Sequence, residues 1–150
     1  MVPGYLSSHP EYMSREGWRN SEAARRSDME AVYDGLTDKL DELLAEYGYV
    51  REGDHYRVEK ECKKTLTFFC HFGVTCAMLA HLWNVSPFIL WHSLALLPTS
   101  FTEVVTEERQ KGTAYFRALH VGDTSHLRLG GEEPSFACRF CEVYSDPERH

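Results

Sequence analysis

The sequence predicts an α/β fold, and three stretches predict it. Residues 27–47 carry a one-sided helical stripe. Thr65–Cys70 is an unbroken run of apolar and β-branched residues that leads into a second helical pattern. Beyond Pro98, two strand-like stretches are joined by a short polar turn. A run without alternation suits a strand buried on both faces, as in a parallel sheet covered by helices. The two later stretches suit an antiparallel hairpin at a sheet edge, C-terminal to the rest.

Each element follows in chain order. Met1–Asn20 reads as an irregular loop with aromatic anchors, Tyr5, Tyr12 and Trp18, broken by Pro3, Gly4, Pro10 and Gly17. Ser27-Asp-Met-Glu30 has the spacing of a capping box, with an earlier helix start near Ser21 also open. Met29, Val32, Tyr33, Leu36, Leu40, Leu43, Leu44 and Tyr47 then recur on one helical face. Gly48 follows as a left-handed C-terminal cap. Tyr49–Glu61 predicts a short hairpin with Gly53-Asp54 at its tip. Thr65–Cys70 predicts the central strand. Val74–Asn84, apolar nearly all round, predicts a buried helix starting by Val74 or Thr75. Ser86-Pro87 opens another short helix, with proline at its first position. "SFTEVVTEE" and "TAYFRALHV" predict the hairpin, joined by Arg109–Gly112, and the tail predicts a loop followed by a short helical stretch.

A chain of 150 residues is expected to form one domain, with length enough for a real core. Apolar residues make up 43% and aromatics 13%, which argues against intrinsic disorder. The net charge of -7 argues against a nucleic-acid partner, which needs a basic stripe. His71, His81, Asn84, Pro87 and His92 interrupt the most apolar region, so it predicts two buried elements and no membrane span. Met1–Ser8 lacks the basic and apolar regions of a signal peptide, and the cysteine count of five is odd. Free thiols in a reducing, cytoplasmic compartment are the expectation. Apolar faces on residues 27–47 and 74–84 that half a sheet would leave uncovered predict self-association.

His71 is the leading candidate site residue. It sits where a strand is expected to end and a helix to begin, the place where open α/β sheets bind ligands. The helix that follows offers backbone N–H groups and the positive end of its dipole to an anion. Gly73 lets the backbone approach a ligand closely. His71, Phe72 and Gly73 are therefore the candidate phosphate-binding set. The competing reading is a partly buried histidine satisfied by a backbone carbonyl. Cys138-Arg-Phe-Cys141 has no second pair to complete a zinc site, so no metal and no cofactor are expected. His81 and His92 read as core or interface histidines with satisfied nitrogens. Asp123-Thr-Ser-His126 reads equally as a site contributor or as a turn closed by an Asp or Ser side chain.

"FCHFGVTCAMLAHLWNVSPFILWHS", a later Thr/Ser-rich strand and "GDTSHL" together resemble the C-terminal part of the histidine phosphatase superfamily, the phosphoglycerate-mutase-like proteins. The resemblance covers roughly residues 20–150. It implies a partial phosphoglycerate-mutase-like sheet flanked by helices, the C-terminal portion of a histidine phosphatase domain. In that family a late strand ends in His-Gly, and this histidine is the second of two catalytic histidines and contacts the phosphoryl group. His71 matches it, with Phe72 in place of the usual glycine and Gly73 one position later. The implied activity is phosphoryl transfer from a phosphorylated small molecule, by a phosphomonoester phosphatase or a phosphomutase, through a phosphohistidine. The family's nucleophile lies in an Arg-His-Gly motif that this chain lacks; its one Arg-His pair is Arg149-His150. A truncated, weakly active or inactive enzyme is therefore expected, with a non-catalytic phospho-ligand-binding or protein-interaction remnant as the alternative.

Overall fold

The computed structural model describes residues 3–138 and 141–148. The chain is mixed α/β. Its helices are α1 (Pro3–Ser7), α2 (Glu22–Arg25), α3 (Met29–Glu46), α4 (Phe72–Trp83), α5 (Pro87–Ser93) and α6 (Ser125–Leu129). Its strands are β1 (Tyr49–Glu52), β2 (His55–Val58), β3 (Phe101–Gln110) and β4 (Thr113–Asp123), in a single sheet ordered β1-β2-β4-β3. It falls into two compact units, Met1–Ser93 with Thr106–Arg117, and Leu94–Val105 with Ala118–His150.

In the first unit the N-terminal stretch is more ordered than a loop. Short 3-10 turns at Pro10–Met13 and Gly17–Asn20 follow α1, and Trp18 is fully buried. Trp18 meets Tyr33 edge-on at 5.0 Å between ring centroids and Phe88 at 5.9 Å. With Leu6, Ala24 and Ala77 these rings form one core cluster. Arg19 lies over the Trp18 ring at 4.9 Å and forks onto Asp34 at 2.7 and 3.0 Å. That bidentate pair, with Glu16 and Glu30 beside it, holds the guanidinium pKa above its ordinary value. Burial pushes the Tyr33 hydroxyl up to about 12.

Ser21 caps α2 by accepting from the Ala24 N–H at 3.2 Å, so a helix does start there. α3 begins only at Met29, and Ser27 accepts from the Met29 N–H at 3.3 Å, without the reciprocal Glu30 bond of a capping box. Gly48 ends the helix at φ +94, where an added Cβ would lie 2.8 Å from the Lys60 carbonyl oxygen. Both the left-handed backbone and the space there require glycine. β1 and β2 pair antiparallel with Glu52 opposite His55 around the Gly53-Asp54 tip. β2 then pairs antiparallel with β4 through Tyr56–Ala114 and Arg57–Thr113. Leu40, Leu44, Tyr56 and Ala114 form a second core cluster, with Leu66, Met78, Leu82 and Phe116 packed on it. α5 opens at Pro87 as expected, with Ser86 buried and its hydroxyl donating to the Tyr12 carbonyl at 2.9 Å.

Thr65–Cys70 is not a strand. The segment joins no sheet, and its residues make no backbone–backbone hydrogen bond among the described residues. The parallel pairing expected for it is replaced by a sheet whose β1–β2 and β2–β4 pairs are antiparallel. Continuous apolarity marks a buried strand only when flanking strands satisfy its backbone. Here none does, and Phe69 stands 98% exposed.

In the second unit Leu96 is buried and Gly122 is tied to Thr102 through its N–H, 3.1 Å from the hydroxyl oxygen. Phe101 packs beside His120 and His126. A 3-10 turn at Phe136–Cys138 follows α6. The Cys138–Cys141 motif and the Arg149-His150 pair lie partly or wholly outside the described residues. Among the described residues no helix is long and apolar enough to cross a membrane.

Removing the central indole should cost most in the first unit. Trp18→Ala is expected to destabilise the fold by about 3–5 kcal/mol, read as a lower urea midpoint with the slope preserved.

Candidate functional site

His71 is the residue immediately before α4, with extended backbone (φ -110, ψ 162), and the helix starts at Phe72. The helix start is two residues earlier than the sequence predicts, and His71 does end an extended apolar segment. Thr75 fixes the change of direction. Its N–H and its hydroxyl both donate to the His71 carbonyl, at 2.9 and 3.1 Å, and its hydroxyl oxygen lies 3.1 Å from the Cys70 sulfur. A threonine reaching back to the carbonyl four residues earlier is a recognised local motif, so the Thr75 spacing was a readable signal that sequence reasoning passed over.

The His71 ring is exposed and forms no hydrogen bond or ion pair among the described residues. A partly buried histidine satisfied by a carbonyl therefore does not describe it. Gly73 lies in helical backbone with open space where a Cβ would point, so neither a special dihedral nor a neighbouring protein atom demands glycine there. The Trp91 indole N–H donates to the Gly73 carbonyl at 3.2 Å, which joins α5 to the first turn of α4. First-turn amides of a helix have no partner within it, and α4 is long enough, at 12 residues, for a defined positive end.

A second polar cluster lies at the other end of α4. Asp41 of α3 accepts from the Tyr56 hydroxyl at 2.7 Å and pairs with His81 Nε2 at 2.9 Å. Burial works to raise the Asp41 pKa, but the bonds from His81 and Tyr56, with the charges of His81 and Arg51, hold it below the usual carboxylate value. Burial and then the Asp41 carboxylate push the Tyr56 hydroxyl well above its ordinary range. Arg51 covers the Tyr56 ring at 4.9 Å and donates to the Asn84 side-chain oxygen. Its Nη1 is buried without a hydrogen-bond partner among the described residues. Asn84 closes α4 in the left-handed conformation, and its amide donates to the Asp54 carbonyl at 2.7 Å. His81 is thus a satisfied interface histidine, as its apolar surroundings suggest. This cluster ties two helices to a hairpin, and its partly exposed carboxylate and imidazole are engaged with each other, so it is a structural junction.

In the second unit Asp123 accepts from the Ser125 N–H at 2.6 Å, which closes the turn into α6. His120 lies between Asp123 at 3.6 Å and Glu103 at 4.0 Å. In the first unit, an open groove of about 490 Å³ on the β3–β4 hairpin is lined by Glu107, Arg109, Gln110, Thr113, Tyr115 and Arg117. Its arginines already pair with Glu107, at 3.0 and 2.7 Å, which leaves little charge for a ligand. Among the described residues no group of three or more His, Cys, Asp or Glu side chains has the arrangement to hold a metal ion. No protein-family model, curated protein or solved structure matches this chain.

Two outcomes follow from these contacts. His71→Ala should leave stability within about 0.5 kcal/mol of the parent, measured by thermal melting, because the ring supports nothing. Asp41 should contribute stability that is fully present above its unfolded pKa, close to 3.8. That contribution is lost as pH falls through the lower folded value. Asp41→Asn should therefore melt below the parent at neutral pH, and the gap should close in acid below about pH 4.

Proposed function

We propose that this chain carries the phosphate-contacting half of a phosphoryl-transfer site of the histidine phosphatase type. His71 donates to the transferring phosphoryl group, and the first turn of α4, Phe72 and Gly73, faces the same anion. The observation that carries this reading is the placement of His71. An extended apolar segment delivers an exposed imidazole to the residue preceding a 12-residue helix, with open space in front of Gly73. An anion there would meet the helix dipole and an imidazole N–H together. The substrate class is a phosphorylated small molecule, and the compartment is the cytoplasm, in keeping with Cys62, Cys70 and Cys76 as free thiols.

In covalent phosphoryl transfer a nucleophilic nitrogen takes the phosphoryl group and water or another hydroxyl then removes it. His71 stabilises charge in this scheme and is not the nucleophile. The Arg-His-Gly that would supply the nucleophile is absent from the sequence. What these residues provide by themselves is binding and charge stabilisation, which leaves turnover several orders of magnitude below that of a complete site. The same absence favours the second reading, a phospho-ligand-binding element without catalysis.

The test is a titration of the chain with inorganic phosphate and with orthovanadate, followed by amide and imidazole NMR shifts. Shifts are expected at His71, Phe72, Gly73 and Val74, and should vanish in His71→Ala. Hydrolysis of an aryl phosphate by the same sample should be barely above background. An ordinary enzymatic rate would overturn the half-site reading and point to another nucleophile, with His126 the first to replace. Shifts that leave residues 71–74 untouched would remove His71 from the proposal.

A further inference from the structure

The apolar segment before His71 has the chemistry of a strand without a neighbour. Thr65, Thr67, Phe68, Phe69 and Cys70 are exposed, while Leu66 seats the segment on the Tyr56 cluster. Its backbone amides and carbonyls make no backbone hydrogen bond among the described residues. Such a row of groups is a template for pairing with an added strand. A basic pair, Lys63-Lys64, stands at its N-terminal end, with Lys63 in an exposed ion pair with Glu61 at 3.2 Å, so Lys64 is the stronger anchor.

The molecule also has a free sheet edge. β3 is the last strand in the order β1-β2-β4-β3. Its sequence, FTEVVTEERQ, places an acidic pair, Glu107-Glu108, beyond a Val104-Val105 centre. Charged side chains on an edge strand repel indiscriminate partners. They also select a partner of opposite sign in the matching position.

We propose that this chain self-associates head to tail, with residues 63–70 of one copy adding antiparallel to the β3 edge of a second copy. One register satisfies both sequences. Lys63 and Lys64 fall opposite Glu108 and Glu107, Leu66 opposite Val105, Thr67 opposite Val104, and Cys70 opposite Phe101. Charge complementarity selects this arrangement over its alternatives. Parallel addition carries the lysines to the apolar end of β3. Self-pairing of two 65–70 segments about a two-fold axis places Lys64 opposite His71, with no acid to meet it. Glu107 is shared with Arg109 and Arg117 of its own hairpin. Glu108, whose one polar contact among the described residues is the Gly112 N–H, is the stronger anchor. A heterologous contact of this kind continues from copy to copy unless the rotation closes a ring, so the expected product is a series of sizes. This inference is independent of the phosphate-site proposal.

The experiment is sedimentation velocity of the full chain across the micromolar range. The parent should show concentration-dependent association. Lys63→Glu/Lys64→Glu and Glu107→Lys/Glu108→Lys should each sediment as monomers, since like charges then face each other. An equimolar mixture of the two variants should associate again, because every contact in an alternating series then joins opposite charges, half with the parent signs and half with the signs reversed. Thr67→Pro/Phe68→Pro, in a segment that makes no backbone hydrogen bond, should melt like the parent and remain monomeric. This variant decides the matter if a charge variant fails to fold. A monomeric parent at all concentrations, association that survives the proline pair, or a mixture of folded charge variants that stays monomeric would each overturn the proposal.

Discussion

One face of α3 carries both cores of the first unit. Tyr33, with Leu36 packed beside it, belongs to the Trp18 cluster, and Leu40 and Leu44 belong to the Tyr56 cluster. The stripe is continuous because apolar residues recur at helical spacing, so the burial of one helix face fixes two separate packing problems at once. Asp41 stands next to that stripe and meets both Tyr56 and His81. A carboxylate in a half-buried position is costly unless hydrogen-bonded, and here two donors from different elements supply the bonds. The position of α4, and with it the position of His71, therefore depends on α3 being packed along its whole length.

Local chemistry made much of this fold legible. The α3 stripe, the Gly48 cap, the Gly53-Asp54 tip, the proline opening α5 and the β3–β4 hairpin all depend on residues close in sequence. Thr65–Cys70 was not legible in the same way. Its composition is that of a strand, but a strand is defined by partners, and β-propensity reports packing more than intrinsic preference. His71 was legible as a helix start because the change from an extended to a helical pattern is local. The Asp41–Tyr56–His81 junction was only half legible. A histidine within an apolar helix implies a partner, but nothing near His81 in sequence indicates Asp41, forty positions away.

The site and the unpaired segment are two ends of one feature. The residues that bring an imidazole to the mouth of α4 are the ones whose backbone lacks neighbours. As proposed, the α4 start would meet an anion and the 65–70 segment would meet an added strand, two binding surfaces of different kinds. The proposed anion surface is small and electrostatic. The proposed strand surface is long and draws on repeated main-chain hydrogen bonds, with side-chain charge setting register.

The discontinuity of the first unit has a consequence in time. The Trp18 cluster is built from residues up to Trp91, so it can close while the chain is still being made. The Tyr56 cluster needs Ala114 and Phe116, delivered by β4. On the ribosome, the nascent β1–β2 hairpin has one side of β2 waiting for that strand, and the 65–70 segment emerges during the same interval. Domains fold largely as they are synthesised, and unpaired edges are most exposed to misassembly at that stage. The order of emergence thus sets a period in which the open side of β2 and the 65–70 segment coexist unsatisfied, before β4 arrives to cover the first of them.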